Sequence, residues 1–158
     1  MKKITPEQLK TLIGHQCDAT PWFEINQAQV NDFADCTLDH QFIHVDPEKA
    51  AQTPFGGTIA HGMLSLSLIA HFAKSFTFDV EGTEIGINYG FNKVRFLTPV
   101  NVGARIRAHA IFKAVEQKSN SNEFLMTYSV SVEIEGSETP ALAADWLVLI
   151  ITRPVSLG

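Results

Sequence analysis

The nine residues Asp39-His40-Gln41-Phe42-Ile43-His44-Val45-Asp46-Pro47 hold the side-chain types that acid–base chemistry needs. Asp39 and His44 stand five positions apart, and a carboxylate with an imidazole can move a proton to or from a substrate near neutral pH. A regular helix would send these two side chains to different faces, whereas an irregular stretch can turn both toward one point. Downstream, Phe55-Gly56-Gly57-Thr58-Ile59-Ala60-His61-Gly62-Met63 leads into an apolar run. The first amides of a helix starting there lack intrahelical partners and sit at the positive end of its dipole. Gly62 lets a carbonyl oxygen approach its N–H closely, which is the arrangement that stabilises negative charge growing on that oxygen.

The neighbouring polar residues have plainer readings. His40 and His44 share a His-x3-His spacing, but they have no third ligand and no helix to set them on one face, so no metal is expected. Asp46 precedes Pro47 and reads as a helix N-cap. His61 reads as a structural histidine hydrogen-bonded near the helix start, since a buried imidazole needs a partner. His71 and His109 read as packing or surface residues. Cys17 and Cys36 form neither a metal spacing nor a disulfide framework and read as free thiols.

These groups must be positioned by surrounding elements. Pro21 to Ile25 reads as a short strand. Asn26 can cap a helix running to about Cys36, with Val30, Phe33 and Ala34 on one face. Thr37 to Val45 reads as irregular, and Asp46-Pro47-Glu48 as a helix start. Thr53 to Gly57 is a loop. From about Ala60 to Ser75 the pattern is small and apolar on nearly every side, including Met63, Leu64, Leu66, Leu68 and Phe72, which predicts one long helix wrapped by the rest of the domain. After Gly82, Ile85–Phe96, Ala104–Glu116, Glu123–Glu135 and Leu142–Thr152 read as strands, rich in β-branched and aromatic residues and separated by turn chemistry. Short connections predict an antiparallel sheet, and sheet plus helix predict an α+β layer packing.

The run from Asp39 to Pro47 resembles the signature of MaoC-like dehydratases, a family that includes the (R)-specific enoyl-CoA hydratases. The family pattern Asp-x-Asn-Pro-Leu-His-x-Asp-Pro aligns with Asp39, Gln41, Phe42, Ile43, His44, Asp46 and Pro47. A second motif, Asn88-Tyr89-Gly90-Phe91-Asn92-Lys93-Val94-Arg95-Phe96, is similar to the nodulation-protein-N-like branch, and the resemblance spans about Trp22 to Leu149. It implies a hot-dog fold, an antiparallel sheet wrapped around a long central helix, as a single domain over residues 1–158. It also implies a homodimer or a higher homo-oligomer of dimers, and reversible hydration of a trans-2-enoyl-CoA to the (R)-3-hydroxyacyl-CoA. In that reading Asp39 and His44 hold the water and Gly62 supplies the oxyanion N–H. The candidate substrate contacts are Gln41, Phe42, Gly57, Met63, Lys93 and Arg95. The family's Asn-Pro is Gln41-Phe42 here, and a serine that some members carry in the long helix falls at Ala70.

Composition narrows the partners. The chain has 158 residues, 45% of them apolar and 18% charged, with a formal net charge of -5. That suits one soluble core and disfavours nucleic acid. The apolar stretch Ile59 to Phe72 is too short for a membrane span, which takes about 20 residues. No secretory signal follows Lys2-Lys3, so a cytoplasmic protein is expected. No cofactor is expected; the thioester of coenzyme A, or of an acyl carrier, is the substrate. Between Ile85 and Val115 the basic residues Lys93, Arg95, Arg105, Arg107 and Lys113 occur without an acidic one. That tract could meet the phosphates of coenzyme A or be an ordinary solvated face. Two alternatives remain open: a hot-dog acyl-CoA thioesterase and a non-catalytic acyl-CoA-binding protein.

Overall fold

A computed structural model describes residues 3–119 and 122–153. In chain order the elements are β1 (Lys3–Ile4), a 3-10 helix (Pro6–Leu12), β2 (Phe23–Glu24), α1 (Gln27–Thr37), α2 (Phe42–Val45) and α3 (Pro47–Ala50). They continue with α4 (Gly62–Ser67), α5 (Ile69–Phe76), β3 (Asp79–Val80), β4 (Thr83–Phe96), β5 (Arg105–Gln117), β6 (Glu123–Ile134) and β7 (Leu142–Thr152). β1 and β3 pair in parallel, and the other five strands form one antiparallel sheet in the order β2-β5-β6-β7-β4.

The sheet's inner face makes the core. Along β6, buried and half-buried residues alternate without a break. Phe124, Met126, Tyr128, Val130, Val132 and Ile134 therefore all point inward, as the two-residue period of a strand requires. α5 lays Phe72 and Phe76 on this face, with the Phe76 ring 5.6 Å from Tyr128 and edge-on to Trp146 at 6.0 Å. Burying a phenylalanine of this kind contributes about 1.5–3 kcal/mol, so the aromatic cluster fixes how the helix sits on the sheet.

Four features depart from the sequence reading. The long helix is two segments, α4 and α5, joined at Leu68, whose N–H still bonds the Leu64 carbonyl at 3.0 Å. It is also covered on one side only: Met63, Ser67, His71 and Lys74 face outward, because a single sheet reaches one face of a helix. Residues 42–45, read as irregular, form the helical turn α2. Lastly, β4 and β5 follow one another in sequence but lie apart in the sheet. The connecting segment crosses the end of the sheet instead. There Val100 accepts from Ala60 N–H at 2.8 Å, and Leu97 N–H bonds the Ala141 carbonyl at 2.8 Å. β4 is thus an edge strand paired only with β7, and Ile85, Ile87 and Tyr89 on it are exposed. Its register slips at three places, and Lys93 takes a left-handed conformation (φ 55°) within the last of these.

Candidate active site

Asp39 and His44 are brought together by a reversal at the end of α1. The helix begins in a reciprocal cap, with the Asn26 side chain accepting from Gln29 N–H (2.9 Å) and the Gln29 side chain accepting from Asn26 N–H (3.3 Å). It ends at Leu38, which adopts the left-handed conformation (φ 63°) and is 81% exposed. A non-glycine residue there costs about 1–2 kcal/mol, and it turns the chain back so that Asp39 faces the start of α4. Gln41 N–H approaches Asp39 Oδ1 at 3.4 Å, and α2 then carries His44 inward.

His44 is held on several sides. Its Nδ1 lies 2.6 Å from the Ile59 carbonyl, which can only accept, so Nδ1 carries the proton and Nε2 keeps its lone pair. Ile59 N–H in turn bonds the Ile43 carbonyl at 3.0 Å. Gln27 of α1 donates to the His44 carbonyl (2.7 Å) and accepts from the Thr58 hydroxyl (2.6 Å). Asp46 caps α3 by accepting from Lys49 N–H at 3.1 Å, the structural role its sequence context gave it. Burial pushes the His44 pKa below the usual histidine value. The Ile59 hydrogen bond works against that shift, the neighbouring His61 adds to it, and Asp39 opposes it.

His61 is 3% exposed and lies under His44, with ring centroids 3.8 Å apart and planes 24° apart. Its Nε2–H bonds the Asp39 carbonyl oxygen at 2.9 Å. One ligand-type atom each from Asp39, His44 and His61 lies within 4.8 Å of the others. His40 instead meets Asp35 at 2.8 Å on the surface. The triad does not suit a metal ion. A zinc ion needs in-plane lone pairs at about 2.0–2.1 Å, and two stacked imidazoles direct theirs side by side rather than to one point.

Two cavities meet at the N-terminus of α4. One, of about 480 Å³, is lined by His44, Gly62, Met63, Phe96, Val100 and Ala141 among others. The other, of about 450 Å³, is lined by Phe33, Asp39, His44, His61, Gly62 and Met63 among others. His44, Gly62 and Met63 belong to both. Gly62 is the first residue of α4, so its N–H has no intrahelical partner. The Phe96 ring packs against its Cα: a Cβ at this position would lie 2.9 Å from Phe96 Cδ1.

The remaining candidates lie elsewhere. Gln41, Phe42, Gly57, Lys93 and Arg95 line neither cavity. The basic tract is largely paired with carboxylates on, or just beyond, other strands of the sheet. Arg105 pairs with Glu135, and Arg107 with Glu133, which also meets His109. Lys113 reaches Asp145 at 2.7 Å and Lys93 reaches it at 3.9 Å. A window of sequence without acidic residues says nothing of the strand alongside. Among the described residues Arg95 has no acidic partner; its guanidinium donates to the Val94 carbonyl at 2.7 Å. The groups that sequence reasoning missed, Gln27, Thr58 and the Ile59 carbonyl, act through positions 15 to 31 residues away, for which the local pattern holds no signal.

Residues 8–134 match the family model described as a MaoC like domain. The chain belongs to the MaoC-like family. It is 42% identical over 156 residues to nodulation protein N of Rhizobium meliloti, covering 98% of this chain and 96% of that one. It is 46% identical over 140 residues to 3-hydroxyacyl-thioester dehydratase Z of Mycobacterium tuberculosis, covering 89% and 91%. Among solved structures it superposes on the (R)-hydratase from A. caviae involved in PHA biosynthesis, with a TM-score of 0.68 and 25% identity over 86% of this chain and 94% of that one. The curled antiparallel sheet on its helix is accordingly a hot-dog fold, and membership of the MaoC-like family supports a hydro-lyase. Among the described residues no helix is long and apolar enough to cross a membrane.

Proposed function

We propose that the protein reversibly hydrates a trans-2-enoyl thioester of coenzyme A to the (R)-3-hydroxyacyl thioester, with Asp39 and His44 as the acid–base pair. The observation that carries this is the place of the pair: Asp39, His44 and Gly62 line one cavity, His44 and Gly62 also line the apolar one beside it, and the Gly62 N–H has no partner within its helix. A thioester carbonyl at Gly62 would be polarised, so that charge arriving at Cα as water attacks Cβ is delocalised onto its oxygen. The pair takes one proton from the water while its oxygen bonds Cβ, and returns one proton to Cα. Both groups line the same cavity, so a chain bound there would meet them on one side, which suits syn addition. The apolar cavity walled by Phe96, Val100 and Ala141 suits the acyl tail. Similarity to a 3-hydroxyacyl-thioester dehydratase and to an (R)-hydratase agrees with this chemistry.

Arg95 remains the basic side chain of the tract free to meet a phosphate, with Lys93 held near Asp145. We also propose a homodimer in the cytoplasm, formed through the exposed edge strand β4.

The test uses crotonyl-CoA and purified protein, following loss of enoyl absorbance and release of free thiol in parallel. Hydration consumes the enoyl signal without thiol, whereas a thioesterase releases thiol. Asp39→Asn and His44→Ala should each lower kcat by about 100-fold or more, the scale of general acid–base catalysis, in proteins that stay folded. Full activity in either variant refutes the assignment.

A further inference from the structure

Among the described residues, His61 is the one buried titratable group at the site to which the mechanism above gives no task. Its surroundings are specific. The ring lies face to face with His44 at 3.8 Å and has Phe33 on another side at 5.0 Å. Nε2–H is engaged by the Asp39 carbonyl at 2.9 Å, and the Asp39 carboxylate comes no nearer to it than 4.0 Å. Nδ1 is buried and, among the described residues, has no hydrogen-bond partner. A side chain needed only to fill this space would be apolar, because an imidazole with one unsatisfied nitrogen is costly to bury.

We propose that His61 is a positioning residue for the reaction: it ties the Asp39 main chain through Nε2–H, supports the His44 ring from below, and disfavours a proton on His44 in the resting enzyme. The inference rests on the assignment of Asp39 and His44 as the acid–base pair. Two links make the geometry. Asp39 follows the strained left-handed Leu38 and is 56% exposed, so its carbonyl bond to His61 is a direct anchor for a residue with few other constraints. His44 is locked edge-on by Ile59, and the stacked ring stops it tilting out of that plane.

The charge consequence follows from the same contacts. The groups facing His44 are His61, the Asp39 carboxylate, the Ile59 carbonyl and, through the backbone, Gln27 of α1; of these only Asp39 favours a cation by its charge. Two imidazoles at stacking distance repel when both are protonated, so a second proton is resisted where both rings are buried. The downward shift of the His44 pKa, led by burial and reinforced by His61, runs the same way. His44 thus stays neutral, with Nε2 free to accept, at pH values where an isolated histidine would begin to charge.

The experiment compares His61→Gln and His61→Phe with the unaltered protein. Glutamine can keep an N–H near the Nε2 position while losing the ring; phenylalanine keeps the ring and loses the tether. Two readouts apply: the pH profile of kcat/KM on crotonyl-CoA, and the NMR titration of His44, which needs no turnover. The expected result is that the His44 midpoint, and the acid limb with it, move to higher pH in both variants. In addition, kcat falls at least about tenfold further in His61→Phe than in His61→Gln, within the range that misplacing a catalytic group produces. A His44 midpoint unchanged in both variants, or equal loss of kcat in the two alongside a lowered Tm, overturns the inference and makes His61 a core residue. Failure of the underlying reading looks different: full turnover in Asp39→Asn, whatever the His61 variants do.

Discussion

Gly62→Ala separates the fold's need for this residue from the chemistry's. An alanine Cβ there would lie 2.9 Å from Phe96 Cδ1, 3.0 Å from Cε1 and 3.2 Å from Cγ. Carbon atoms rest at about 3.5–4.0 Å, so the ring must retreat by roughly 1 Å. In a closed core such crowding costs about 1–3 kcal/mol. Phe96, however, is 51% exposed at the end of the edge strand β4 and can turn outward. The backbone at Gly62 has no positive φ, so alanine meets no conformational strain, and in a helix it gains up to about 1 kcal/mol over glycine. The two effects oppose each other, and net stability should change by no more than about 1 kcal/mol, or about 2–4 °C in Tm for a chain of this size. Activity should respond very differently. The new methyl intrudes where a thioester carbonyl must approach the amide, and loss of one oxyanion donor costs about 100- to 1,000-fold in kcat. Thermal unfolding and crotonyl-CoA hydration on the same preparation decide it. A folded Gly62→Ala protein with unaltered kcat would refute the oxyanion role of this amide. A Tm lower by more than about 10 °C would refute the claim that Phe96 can yield, since that corresponds to several kcal/mol.

Three further outcomes are expected. The His44 pKa is lower folded than unfolded, so as pH falls below about 6.5 the unfolded chain takes up the proton first, and stability present at neutral pH is lost down to the folded pKa. Urea titrations at pH 7.5 and pH 5.5 should show this loss in the unaltered protein and a smaller one in His44→Gln; equal slopes would contradict it. Gln27→Ala removes the donor to the His44 carbonyl and the acceptor of the Thr58 hydroxyl, which should cost about 1–3 kcal/mol and lower kcat with little change in KM. An unaltered kcat in that variant would mean that α1 does not position His44. Light scattering should give twice the 17.4 kDa chain mass, with Ile87→Lys on β4 shifting the protein toward monomer; a monomer at micromolar concentration would remove the proposed edge-to-edge pairing.

Local signals carried much of this in the sequence. The strands of residues 85–152 came through because alternation and turn residues are short-range properties, and the observed β4 to β7 agree with them to within two residues. Asp46 and Asn26 were legible as caps for the same reason. Strand order was not, because the crossing of residues 97–104 depends on contacts with Ala60 and Ala141 that no local pattern announces. The site divides the same way. Asp39, His44 and Gly62 stood out by type and motif, and in the structure all three line one cavity. The stacking of His61 on His44 and the grip of Gln27 were invisible, being products of how α1, α2 and α4 converge. The pairing of the basic tract was not legible either, because its partners Glu133, Glu135 and Asp145 come from β6, the residue just after it, and β7.

The position of β4 also sets the order in which the molecule can be completed. On a ribosome β5 and β6 can pair as soon as both have emerged, because they are close in sequence. β4 is made before them but has no partner among them; it must wait for β7, the last strand among the described residues. Throughout that interval its Ile85, Ile87 and Tyr89 are open to other chains, and the charged or amide side chains between and beyond them, Glu84, Asn88, Asn92 and Lys93, interrupt what would otherwise be a sticky ribbon. Ala141, which walls the apolar cavity, arrives in the same closing step. Nascent chains that stop short of Ala141 should therefore hold His44 and Gly62 beside a cavity with one wall missing, with β4 still unpaired.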